Sequence, residues 1–153
     1  MVKILASVLG VLIASCMPAS AELLWCWRFA GAHVSAAGTF ATSDDANADG
    51  FYHIVDITGT TNSASITELR PTGTSIPGNS GYPVDNLISA TAPQLTKHGF
   101  GFMTSDGAFH NPFRVTEYRD YISRPPYADG KGAEPTIQFN AVAAASGSDC
   151  STK

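Results

Sequence analysis

Phe51-Tyr52-His53-Ile54-Val55-Asp56-Ile57 is the stretch on which the fold turns. It is aromatic and β-branched along its length, which suits a pleated, half-buried surface and predicts a strand. The polar run Ser43 to Gly50 before it predicts a loop, and Thr60-Thr61-Asn62-Ser63 after it predicts a turn. Outward from this centre the same grammar repeats. Leu23 to Phe29 sets Leu23, Trp25, Trp27 and Phe29 on one alternating face and Leu24, Cys26 and Arg28 on the other. A second strand is expected over His33 to Thr42, with Gly38 as a bend or a point of close approach. Ala64 to Leu69 reads as a strand whose inward face the pattern does not decide.

Pro71 to Pro83 carries three Pro and three Gly and predicts a long irregular loop. Short strands are expected at Val84 to Ala90 and Gly99 to Thr104. An alternating strand is expected over Phe113 to Ile122, ended by Arg124-Pro125-Pro126, and a last one over Thr136 to Ala143. The total, about seven or eight short strands with Gly/Pro turns, predicts an all-β fold, a small antiparallel sandwich or closed barrel. Thr39-Phe40-Ala41-Thr42-Ser43-Asp44 is echoed by Gly101-Phe102-Met103-Thr104-Ser105-Asp106, which suggests a shared turn chemistry.

The chain opens on Met1-Val2-Lys3, an apolar run from Ile4 to Ile13 and then Pro18-Ala19-Ser20-Ala21. A basic start, a short apolar core and a small-residue cleavage site are the parts of a secretory signal peptide, here residues 1–21, which would leave 22–153 as one β-rich domain with a polar C-terminal tail. Ile13-Ala14-Ser15-Cys16 offers a rival cut, a lipoprotein box that would lipidate Cys16. Either cut implies a periplasmic or secreted protein with no membrane span. Of three cysteines the favoured cut leaves Cys26 and Cys150, which the exported compartment allows to pair as a disulfide. The net charge of −4, with no basic stripe, argues against nucleic acid or an anionic membrane surface as partner.

Chemistry-bearing patterns are sparse. Asp45, Asn47 and Asp49, with Gly50 and Asp56, match the oxygen positions of a calcium loop, but the twelfth position is Asp and helices are missing, so a plain acidic hairpin loop accounts for the same residues. The histidines His33, His53, His98 and His110 lack zinc-like spacing. A serine with His53 and Asp56 has no nucleophile motif around it. Asp106 or Asp120 with Glu117 would be a carboxylate pair for sugar hydrolysis, against a default of solvated surface acids. Trp25, Trp27, Tyr118 and Tyr121 are candidates for a binding surface, although the alternation of the tryptophans favours the core.

Gly50-Phe51-Tyr52-His53-Ile54, Ile57-Thr58-Gly59-Thr60, Ile66-Thr67-Glu68-Leu69, Ile76-Pro77-Gly78-Asn79, Val84-Asp85-Asn86-Leu87 and Gly99-Phe100-Gly101-Phe102 together carry a family resemblance. With Gly38-Thr39-Phe40, the chain resembles a domain common in small exported bacterial proteins, many of them sorted by the PEP-CTERM/exosortase route. The resemblance implies export and brings no catalytic residue with it. The Pro-Glu-Pro signal, C-terminal apolar helix and basic cluster of the sorted members are missing here, so a free rather than an anchored protein is expected. The combined expectation is an exported envelope or extracellular protein, binding or structural rather than enzymatic, with a protein or glycan of the envelope as partner. A small secreted hydrolase and a calcium-stabilised β module are the alternatives.

Overall fold

The computed structural model describes residues 22–127, 132–144 and 150. The proposed signal segment, Cys16 and most of the polar tail lie outside the described residues. Among the described residues there are nine strands: β1 (Leu23–Gly31), β2 (Ser35–Thr42), β3 (Phe51–Thr61), β4 (Ala64–Leu69), β5 (Leu87–Ser89), β6 (Phe102–Thr104), β7 (Phe109–Arg114), β8 (Tyr118–Ser123) and β9 (Ile137–Ala143). They form one antiparallel sheet in the order β8-β7-β6-β4-β3-β2-β1-β9, with β5 paired to the start of β3. The segment leading into β9 returns along β8, where Ile122 N donates to Ala133 O at 2.8 Å and Ala133 N to Ile122 O at 3.0 Å. The sheet therefore nearly closes into a barrel. Gln94 helps to fill the remaining gap: its Nε2 donates to Ala141 O at 2.6 Å and its Oε1 accepts from Ala141 N at 3.0 Å, as a neighbouring strand would.

Local sequence explains most of this. Trp25, Trp27 and Phe29 point inward along β1, and Ile137, Phe139 and Ala141 do so along β9. Trp27 stacks on Phe40 at 5.1 Å, and Phe100 meets Phe40 edge-on at 5.0 Å. Such pairs add about 0.5–1.5 kcal/mol each beyond the burial of their area. Trp27 lies opposite Gly38, which in turn lies opposite Gly59 on β3. A Cβ on Gly38 would fall 1.8 Å from Thr58 O, so β2 and β3 approach here as no other residue would allow. The β3–β4 turn is two residues long, Asn62 and Ser63, with φ of 46° and 76°, the left-handed pair that suits the twist of a hairpin.

One expectation needs correction, and two bulges interrupt strands that were expected. The strand expected over Phe113 to Ile122 is two, because Val115 to Glu117 form the turn between β7 and β8. In β3 the period of two breaks: Thr42 pairs with Ile54 and Ala41 with Asp56, leaving Val55 as a bulge, so that Val55 and Asp56 are both exposed. β4 has a bulge of its own between Ile66 and Glu68, which brings both Ile66 and Leu69 against the core and explains why its inward face resists reading. Cys26 and Cys150 form the expected disulfide, with their Cα atoms 5.2 Å apart.

Candidate functional site

β7 is buried on both faces. Its inner side, His110, looks into the barrel, where the ring stacks on Phe102 at 5.0 Å. Its outer side, Phe109, Asn111 and Phe113, is covered by the Pro/Gly-rich loop, whose Ile76 forms a second small core with Phe109 and Tyr121. Where that cover ends, a cleft of about 320 Å³ opens. The loop contributes Asn79 and Tyr82 to its lining, and β7 with its following turn contributes Phe113, Val115 and the buried Asn111. Lys97 and Glu134 reach it from the β5–β6 connection and the segment before β9. Tyr82 is 58% exposed and Val115 63% exposed, large apolar surface that no strand pattern hides. Lys97 and Glu134 make no ion pair among the described residues.

Asn111 is the most constrained of these groups. Its Nδ2 donates to His98 O at 2.9 Å and Phe100 O at 3.0 Å, and its backbone N donates to Asp120 Oδ1 at 3.1 Å. The other oxygen of Asp120 meets His110 Nδ1 at 2.7 Å. Asp120 is 0% exposed and His110 1% exposed. Burial pushes the Asp120 carboxyl above its ordinary range, and the bond from His110 works against that rise. Thr96 organises the stretch that carries Lys97: its hydroxyl donates to Asp85 Oδ2 at 2.6 Å and accepts from His98 N and Gly99 N at 3.1 and 2.9 Å. Burial raises the Asp85 carboxyl as well, opposed by the Thr96 bond. Asp85 Oδ1 and His98 Nδ1 are buried without a hydrogen-bond partner among the described residues.

The groups singled out in the sequence fall elsewhere. Trp25, Trp27 and Tyr121 are buried, so the aromatic set does not form an exposed platform. Tyr118 is half-buried, with its ring on Phe139 and its hydroxyl accepting from Gln94 N, while the Tyr121 hydroxyl accepts from Gly132 N. In the acidic loop, Asn47 Oδ1 accepts from Asp49 N and Phe51 N, both at 3.0 Å, and so closes a turn. Asp45 and Asp49 stay on that exposed loop and Asp56 points outward from β3. Among the described residues no three His, Cys, Asp or Glu side chains come together as a metal set. The His53 ring bonds to Thr72 at 2.8 Å, and among the described residues no serine hydroxyl bonds to that ring or to Asp56. Glu117 pairs with Arg119 at 2.6 Å and Asp106 with Arg124 at 2.9 Å. Asp120, expected as a solvated acid, lies instead inside the barrel, on the face of the β7–β8 hairpin that it shares with His110, whose ring it bonds.

The echoed Thr-Ser-Asp segments do not share one chemistry. Asp106 Oδ1 accepts from Thr104 Oγ1 at 2.6 Å and Ala108 N at 3.2 Å, whereas in the earlier copy it is Ser43 Oγ that accepts from His53 N at 3.1 Å. None of the cleft residues was identified from sequence, since they come from four separate segments. One signal was available: Tyr82 between Gly81 and Pro83, an aromatic in a stretch too irregular to bury it by alternation. No family model, curated protein or solved structure matches the chain.

Proposed function

We propose that the protein is an extracytoplasmic binding module that holds a glycan in the cleft between the Pro/Gly-rich loop and β7. The observation that carries this reading is the pairing of an exposed aromatic, Tyr82, with the half-buried amide of Asn79 and the exposed charges of Lys97 and Glu134, which make no ion pair among the described residues, in a single cleft. A sugar ring has an apolar face that packs on an aromatic ring and an equatorial fringe of hydroxyls that needs planar amides and carboxylates. A mostly apolar cleft with a few placed polar groups is the usual form of a small-ligand site. The signal-like opening of the chain supports export, and the Cys26–Cys150 disulfide is of the kind that persists in oxidising compartments.

The test is a glycan array probed with residues 22–153 and with Tyr82→Ala. The reading expects binding by the natural sequence and a loss of about tenfold or more in the variant, the cost of one stacked aromatic contact and its buried area. Because Tyr82 is exposed, the variant should keep its melting temperature. An array on which the natural sequence binds no glycan would refute the proposal.

A further inference from the structure

Asn62-Ser63 and Asn79-Ser80 both set an asparagine before a serine. Asparagine is chemically labile in such a pair. The backbone N of the next residue can attack the side-chain amide carbon, and a side chain as small as serine hinders the approach little. The reaction needs an amide that is free to turn toward that nitrogen, and the two sites differ in this freedom.

Asn62 is held at both side-chain atoms. Its Oδ1 accepts from Ser35 N at 2.9 Å, its Nδ2 donates to His33 O at 3.1 Å, and its φ of 46° belongs to the tight β3–β4 turn. Asn79 lies on the Pro/Gly-rich loop at the cleft. Its side chain has one contact, Nδ2 to Asn111 Oδ1 at 3.4 Å, the outer limit of a hydrogen bond. Among the described residues nothing donates to Asn79 Oδ1, and the N–H of the exposed Ser80 has no acceptor. The remaining asparagines at turns and in the core are protected. Asn86 is bonded through both side-chain atoms, Asn47 Oδ1 holds two backbone N–H groups, and Asn111 precedes Pro112, whose nitrogen carries no hydrogen.

We infer that Asn79 is a site of spontaneous deamidation, which turns an amide of the cleft into a carboxylate. Ser80 N gives its proton to water and bonds to Asn79 Cγ. The Cγ–Nδ2 bond breaks, and the nitrogen takes a proton from water and leaves as ammonia. A second water opens the ring at either carbonyl, leaving aspartate or isoaspartate at position 79. The product sets an acceptor against Asn111 Oδ1, so the 3.4 Å contact between loop and β7 is lost and the cleft gains a negative charge. The inference is independent of what the cleft binds.

Peptide mapping by mass spectrometry tests it, on protein held at mildly alkaline pH either folded or in urea, with isoaspartate scored separately. In the folded protein position 79 is expected to convert about tenfold faster than position 62, the worth of the further hydrogen bond that Asn62 must release. In urea neither amide is held and the two rates should converge. Position 62 converting as fast as position 79 in the folded protein would overturn the inference, as would a folded protein unchanged at both while the urea sample converts. Aspartate without isoaspartate would also overturn it, since direct hydrolysis by water passes through no ring.

Discussion

Thr61 brings a hydroxyl into the core for no bond: the residue is 2% exposed and its Oγ1 has no partner among the described residues. A buried polar atom left unpaired costs about 1–3 kcal/mol, so Thr61→Val, which keeps the branched shape, is expected to raise unfolding stability by about 1 kcal/mol. Urea denaturation measures it, and a loss of stability would mean that the hydroxyl has a partner in solution. Asp106 is the opposite case. The Thr104 hydroxyl, with help from the Ala108 N–H and Arg124, holds its carboxyl down at about 2 from an ordinary 3.8. A lowered folded value means that its stabilisation is present above the unfolded pKa and is lost as pH falls through the folded one. Between about pH 4 and 2 the natural protein should therefore lose stability more steeply than Asp106→Asn. The difference will be small, because the side chain is 45% exposed and water screens the Arg124 pair. Parallel curves for the two proteins would contradict the assignment.

At the level of elements, β2 and β3 approach closely at the Gly38–Gly59 pair, with Trp27 of β1 opposite Gly38. Gly38→Val would force side-chain atoms into the backbone of Thr58 and Gly59. The expected loss is about 3 kcal/mol, the upper range for overpacking, read by thermal or chemical unfolding. Stability within 0.5 kcal/mol of the natural protein, roughly the scatter of neutral surface changes, would show that the strands can part at little cost. β1 and β9 were legible in the sequence because regular alternation of large apolar residues reports a buried face, and β3 because its run of aromatic and β-branched residues suits a strand. The bulges at Val55 and in β4 were not, since an extra residue shifts the period without leaving a compositional mark. The β7–β8 hairpin was missed for a related reason: Val115-Thr116-Glu117 contains no Gly, Pro, Asn or Asp to mark a turn. The candidate site was the least legible part. Asn79, Lys97, Asn111 and Glu134 meet only through sheet closure and through a loop folded over β7, neither of which has a local signature.

For the molecule as a whole, the disulfide joins β1 to residue 150 across 124 positions. A cross-link over so long a loop restricts the unfolded chain, and reduction is expected to cost about 2–4 kcal/mol. Unfolding curves with and without reductant check this, and coincident curves would show that the barrel closes without help from the tail. A near-closed barrel also leaves few open strand edges, so its loops, not its edges, are the natural place for recognition. The central claim is that recognition occurs at one cleft outside β7, and NMR titration of the ¹⁵N-labelled protein with the strongest binder of the glycan array tests it most directly. The account predicts saturable amide shifts concentrated at Asn79, Tyr82, Asn111 and Phe113, with the outer face of β1 and β9 around Cys26 unchanged. Shifts centred on that outer face, or none at millimolar sugar, would contradict it.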